Sequence, residues 1–240
     1  QHHILNTLEN FNEINAILLT RDEKTIVTGG NDKLLRIWNI NTMQEKGALE
    51  GHSKPILAIT AFHESDNVAS GSADNTIRIW DVAKRVQVII LKGSPDQISS
   101  LVIFSNDQYI LSGAHDKTVR LWDLNNGTQS NIFRFHTGAI KAVSLTPDNK
   151  IYVSGGEDRM ISIVNLDDTE LINQFKAHAD TINCLVIINE GKQIISGAKD
   201  KTMKVWDLWT GKLVKILKSH RAPVTTMITN KNWTKMLSGA

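Results

Sequence analysis

The sequence predicts an all-β protein assembled from repeated four-stranded antiparallel units, and three recurrences carry that prediction. Trp38, Trp80, Trp122 and Trp206 stand 42, 42 and 84 residues apart, with Val164 in the vacant slot of the long gap. Gly29, Gly71, Gly113, Gly155, Gly197 and Gly239 recur every 42 residues, each preceded by Thr or Ser: Thr28, Ser70, Ser112, Ser154, Ser196 and Ser238. Asp32, Asp74, Asp116, Asp158 and Asp200 keep the same period, as do His52, His136, His178 and His220, with Asn10 and Ser94 in the two remaining histidine positions. A fixed period of this length marks one small unit that cannot bury its apolar face alone and stacks on its neighbours.

Within each unit the local pattern is that of strands. Ile77 and Ile79, Val119 and Leu121, Ile161 and Ile163, and Met203 and Val205 alternate with mostly polar neighbours. Four short strands fit the period. In the second unit they are expected near residues 55–61, 66–71, 76–81 and 86–91, parted by turn formers such as Asp66-Asn67 and Asp74-Asn75. No insertion interrupts the repeats, so every loop has nearly one length, which suits units arranged around an axis. The expected division is an outer strand at 1–9, complete units at 10–51, 52–93, 94–135, 136–177 and 178–219, and the first half of a sixth at 220–240.

Gly51-His52, Ser70-Gly71, Asp74 and Trp80-Asp81 resemble the WD-repeat signature, and the resemblance covers nearly the whole chain, five times in register with a sixth begun. The resemblance implies a β-propeller, whose commonest form has seven blades. The 240 residues hold about 5.7 periods, so the expectation is a segment of a seven-bladed propeller whose remaining blades come from the same longer chain. Closure at six blades is disfavoured, because the last blade would lack its third strand.

Composition narrows the function. Lys and Arg total 27 against 25 Asp and Glu, a formal net charge of +2 with no long block of like charge, which argues against nucleic acid and membrane surfaces as partners. The longest apolar runs, such as Cys184 to Ile188, are far too short to span a bilayer. Cys184 is the one cysteine, so no intrachain disulfide forms and a reducing, cytoplasmic setting is expected, extending to a cytoskeleton-associated assembly. Placed mid-strand, it reads as an inert buried thiol. No phosphate-cradling glycine loop, zinc spacing or nucleophile elbow occurs, so no catalytic residue, metal or cofactor is expected.

For the recurring polar residues the resemblance implies a structural hydrogen-bond chain, in which the turn aspartate receives from histidine, which is linked through Ser or Thr to the indole. Two units carry it complete: His52, Ser70, Asp74 and Trp80, then His178, Ser196, Asp200 and Trp206. The first has Thr28, Asp32 and Trp38 with Asn10 for histidine; the third has Ser112, Asp116 and Trp122 with Ser94. The fourth keeps His136, Ser154 and Asp158 but has Val164 for the indole, so Ser154 needs another donor or a water. An indole only donates, and a buried donor left unpaired costs about 1–3 kcal/mol. The histidines belong to different units, an arrangement wrong for chelation.

The resemblance also implies partner binding where the first strand begins and the second-to-third turn ends, around a central channel. Those positions hold Glu13, Asn15, Asn31, Leu57, Gln97, His115, Lys141, Glu157, Asn183 and Lys199, a polar and nearly neutral set without an aromatic anchor. On the opposite face, Trp209 lies in a turn where other units have Asn41, Ala83, Asn125 and Asp167, and Trp233 in one where they have Glu23, Ser65, Asp107, Asn149 and Gly191. The pair is expected to form an apolar docking patch. The expected function is a non-catalytic protein–protein scaffold or adaptor within a larger intracellular assembly. The alternative is a substrate- or peptide-recognition module, for example of a ubiquitin-ligase complex, binding at the channel mouth; the polar ring leans towards the first.

Overall fold

The computed structural model describes residues 12–218, 220–229 and 236–240, and every regular element in them is a β-strand. The first sheet comprises β1 (Ile14–Leu19), β2 (Thr25–Gly30), β3 (Leu35–Asn39) and β4 (Glu45–Leu49). The second comprises β5 (Ile56–Ala61), β6 (Asn67–Ser72), β7 (Ile77–Asp81) and β8 (Val86–Leu91), and the third β9 (Ile98–Ile103), β10 (Tyr109–Ala114), β11 (Val119–Asp123) and β12 (Thr128–Phe133). The fourth holds β13 (Ile140–Leu145), β14 (Ile151–Gly156), β15 (Met160–Asn165) and β16 (Leu171–Lys176); the fifth holds β17 (Ile182–Ile188), β18 (Gln193–Ala198), β19 (Met203–Asp207) and β20 (Leu213–Leu217). In each sheet the strands lie side by side in chain order, and β21 (Thr226–Thr229) pairs with β22 (Met236–Gly239) as a two-stranded sheet. The chain falls into two compact units, Gln1–Ile110 with Trp122–Gln129, and Leu111–Leu121 with Ser130–Ala240.

In the second sheet the strand edges differ from the sequence expectation by at most one residue. β5 starts at Ile56, the register at which the first strands of the other four-stranded sheets also start, and β21 starts at Thr226, after Val224 N–H has bonded the Ala198 carbonyl at 3.0 Å.

Burial is graded across each sheet. Every residue of β14 is buried, as are five of the six in β6, whereas β8 and β16 are largely exposed. Strands covered on both faces read as continuous small or apolar runs. Gly71 illustrates the close approach this needs: a Cβ there would fall 2.5 Å from Ile98 Cγ2 on the first strand of the following sheet. Gly29 meets Ile56, and Gly113 meets Ile140, in the same way, each at 2.6 Å. At Gly29, Gly71, Gly113 and Gly155 the recurring glycine is therefore the seat of the next sheet's leading isoleucine, and at Gly197 of Val224.

Two irregularities recur with the period. In the first, second, fourth and fifth sheets the register between first and second strands skips one residue, leaving Asn15, Leu57, Lys141 and Asn183 as the extra members of a β-bulge. A bulge re-aims its side chain. The turn after each second strand places a non-glycine residue in the left-handed region: Lys33, Asn75, Lys117, Arg159 and Lys201, with φ of 70, 69, 72, 67 and 68°. That conformation costs about 1–2 kcal/mol. The preceding aspartate offsets it; Asp74 accepts from Thr76 N–H at 3.0 Å and from the Thr76 hydroxyl at 2.6 Å.

Candidate functional site

The structure brings together His52 from the loop before β5, Ser70 from β6, Asp74 from the turn that follows it and Trp80 from β7. Trp80 Nε1–H donates to Ser70 Oγ at 2.8 Å; Ser70 Oγ lies 2.7 Å from His52 Nε2, and His52 Nδ1 lies 2.8 Å from Asp74 Oδ2. The directions follow from the carboxylate accepting only. Nδ1 must carry the hydrogen that goes to Asp74, so Nε2 of the neutral imidazole accepts the Ser70 proton, and the Ser70 oxygen accepts from Trp80. Asp74 Oδ2 also accepts from Ser53 N–H at 3.0 Å. The fifth sheet repeats the chain: Trp206 to Ser196 at 2.8 Å, Ser196 to His178 at 2.6 Å, and His178 to Asp200 at 2.8 Å.

Where histidine is absent, an arginine from the third strand takes the aspartate. Arg36 Nε bonds Asp32 at 2.8 Å, while Trp38 donates to Thr28 at 2.9 Å; Arg120 Nη2 bonds Asp116 at 2.6 Å, with Arg120 only 4 % exposed. Ser112 and Trp122 are buried and engaged, and Ser94 turns its hydroxyl to the Asp96 carbonyl at 2.7 Å. At the same register Arg78 and Lys204, whose aspartates are held by histidine, turn elsewhere: Arg78 to Gln87, and Lys204 to the Ala177 carbonyl at 2.7 Å, its ammonium 5.6 Å above the Trp206 ring. The sequence reading missed this exchange: an arginine two residues before the tryptophan occurs in the second unit too, as Arg78, so only the missing histidine hinted that the aspartate needed another partner.

The fourth sheet lacks the indole but not its volume. His136 bonds Asp158 and Ser154, each at 2.8 Å, so the Ser154 hydroxyl has its partner in the imidazole. Val164 pairs directly with Tyr152, where the second sheet pairs Trp80 with Val68. The large and small residues have exchanged strands. Tyr152 is 1 % exposed and its ring centroid lies 5.0 Å from that of Phe133.

Both complete chains bear on acid stability. Burial lowers the His52 and His178 pKa below the ordinary 6.5 more than their carboxylate partners raise it. For Asp74 and Asp200, burial works upwards, but bonds from Thr76 and His52, and from Thr202, Ala179 and His178, bring each to about 2. All four groups bind protons more readily in the unfolded chain. Stability is accordingly expected to fall first as pH drops below about 6.5, and again from about 4 towards 2. Urea unfolding midpoints across pH 8 to 2 check this, and Asp74→Asn should flatten the lower limb; a level profile from pH 7 to 5 would contradict it.

The strand-start positions are bonded among themselves. Asn31 donates to Glu13 at 2.9 Å, and Asn15 donates to Asn31 at 3.1 Å and to the Ile56 carbonyl at 2.9 Å. Asn183 reaches the Val224 carbonyl at 2.7 Å, the same bond between first strands. Lys141 lies 3.0 Å from His115 Nε2 and 3.1 Å from Glu157. Leu57 and Gln97 are half-buried and Lys199 is exposed. Trp209, in the β19–β20 turn, is 59 % exposed, while Trp233 lies outside the described residues. Cys184 is buried, which pushes its thiol up to about 11.

Among the described residues no group of three His, Cys, Asp or Glu side chains is placed to hold a metal ion, and no helix is long and apolar enough to cross a membrane. A comparison with curated proteins finds no match. The family model described as WD domain, G-beta repeat matches residues 3–39, 43–81, 85–123, 127–165 and 169–207. The last four matches each run from the fourth strand of one sheet through the third strand of the next, so the recurring Trp or Val164 stands at the end of each. Repeats of this kind generally mediate protein–protein interactions and are typically non-catalytic. With five matches spanning most of its length, the chain belongs to the WD domain, G-beta repeat family.

Proposed function

We propose that the chain is a non-catalytic scaffold or adaptor that binds other proteins within a larger cytoplasmic assembly. One observation carries this reading. In the second and fifth sheets, the recurring imidazoles, carboxylates, hydroxyls and indoles are bonded to one another inside their own sheet, so the chemistry common to the repeats is committed to framework. What varies from repeat to repeat sits at strand starts and turns, the surface from which partners are distinguished.

The face of the first sheet supports a further part of the proposal, that another blade of the same chain covers it. Ile17 is 65 % exposed, whereas at its register Ile59 is half-buried and Leu101, Val143 and Leu185 are 9, 7 and 7 % exposed against the preceding glycine strand. Purifying the full-length native protein under mild conditions tests the function. Stoichiometric partner proteins, retained when a network residue is replaced conservatively in a folded variant, are expected. A partner-free monomer, or a turnover activity abolished by His52→Asn, would overturn the proposal.

A further inference from the structure

At the far end of each first strand the repeats differ in one size-determining residue. Repeats two and three have Phe62 and Phe104, 9 and 8 % exposed; at that register repeats one and four have Thr20 and Thr146, and each threonine lines a cleft. Each hydroxyl also fixes a carboxylate at the lip, Thr20 to Asp22 and Thr146 to Asp148, both at 2.6 Å.

The two clefts are the same place three repeats apart, and they differ in charge. The cleft of about 240 Å³ beside Thr20 sets Asp22 and Asp66 against the chain's own Lys46 and Arg85. The cleft of about 310 Å³ beside Thr146 has neither cation: the registers of Lys46 and Arg85 hold Ile172 and Gly211, which do not line it. It keeps two carboxylates, Asp148 and Glu190, against Lys192, which lies 3.6 Å from Glu190. Where the first cleft has Ala83, the second has Trp209, with most of its surface exposed. The first sets two cations against two carboxylates; the second has only Lys192, at the register of Asp66, against two carboxylates, and adds an exposed indole.

We propose that the Thr146 cleft seats an arginine side chain of a partner polypeptide, its guanidinium lying against the Trp209 indole and bonded by Asp148. Guanidinium is planar and weakly hydrated, stacks on aromatic faces and matches a carboxylate with two parallel N–H bonds. The methylene stem would lie along Pro147 and Ile151. A cleft of about 310 Å³ falls at the lower end of the size range of small-ligand sites.

This inference rests on the protein-binding reading, and its test separates the two. The 240-residue chain, labelled with ¹⁵N-tryptophan, is titrated with acetyl-Ala-Arg-Ala-amide and with its citrulline analogue, the Trp209 indole signal being assigned by its loss in Trp209→Phe. The arginine peptide is expected to shift that signal and to bind about fivefold more tightly than the citrulline peptide. Trp209→Ser, an exposed change that leaves the thermal midpoint in place, and Asp148→Asn should each remove that preference. Equal binding of the two peptides, or a preference that survives Trp209→Ser, would overturn the proposal. Partners recovered equally by native protein and Trp209→Ser would overturn this cleft while leaving the scaffold reading intact; recovery of no partner at all would remove both.

Discussion

Trp80→Ala is expected to lower the stability of the chain by about 3–5 kcal/mol, the range for emptying an aromatic site in a close-packed core. The ring is 2 % exposed and packs with Val27, Leu35, Leu49, Ile56 and Val68 in one cluster that spans the first and second sheets. Removing it opens a cavity between two sheets and also takes away the donor that Ser70 Oγ accepts from. Trp80→Phe separates the effects by keeping most of the ring and deleting the N–H. Trp209→Ala is the matched control: it removes an indole of the same size that is 59 % exposed, and its expected effect is within about 0.5 kcal/mol. Urea unfolding of the three variants, followed by far-ultraviolet circular dichroism, gives the comparison through their midpoints.

The sequence made the repeated framework legible because each unit is local. Strand, turn and strand lie within a few residues of one another, so a glycine that seats the next sheet, an aspartate that closes a turn and an indole that fills a core recur at one spacing. What escaped depends on partners brought in by pairing. The bulge that aims Asn15 and Asn183 at neighbouring first strands arises from register with the second strand, and no residue type announces it. The role of Arg36 and Arg120 was not legible, since Arg78 stands at the same register in a repeat that keeps its histidine. The clefts depend on Thr20 and Thr146 replacing a buried phenylalanine, and a single threonine reads as an ordinary strand-end residue. Trp209 stood out because its register is otherwise small or polar. The ten strand-start positions took their expected role from the family alone; the geometry adds that Asn15, Asn31, Lys141 and Asn183 are already bonded within the chain.

Tyr152 was the least legible of all. At its register stand Ile26, Val68, Ile110 and Ile194, so a tyrosine there is the exception, and it matters because Val164 opposite it is the exception among tryptophans. Tyr152 with Val164 occupies the space that Val68 with Trp80 occupies in the second sheet, and the register of the fourth sheet places position 164 relative to Ser154 as Trp80 stands to Ser70. Each single exchange should be costly. Tyr152→Val leaves a buried cavity, expected to cost about 2–4 kcal/mol, and Val164→Trp drives an indole against the Tyr152 ring, expected to cost about 1–3 kcal/mol. Made together, they restore both the volume and the donor to Ser154, completing in the fourth sheet the chain that His136 and Asp158 already begin.

That double-mutant cycle, read as urea midpoints for the native chain, both singles and the pair, tests most directly the claim that indole, hydroxyl, imidazole and carboxylate serve as framework. The account predicts that the double variant is more stable than either single, with a coupling of about 1–3 kcal/mol. Losses that simply add would contradict it.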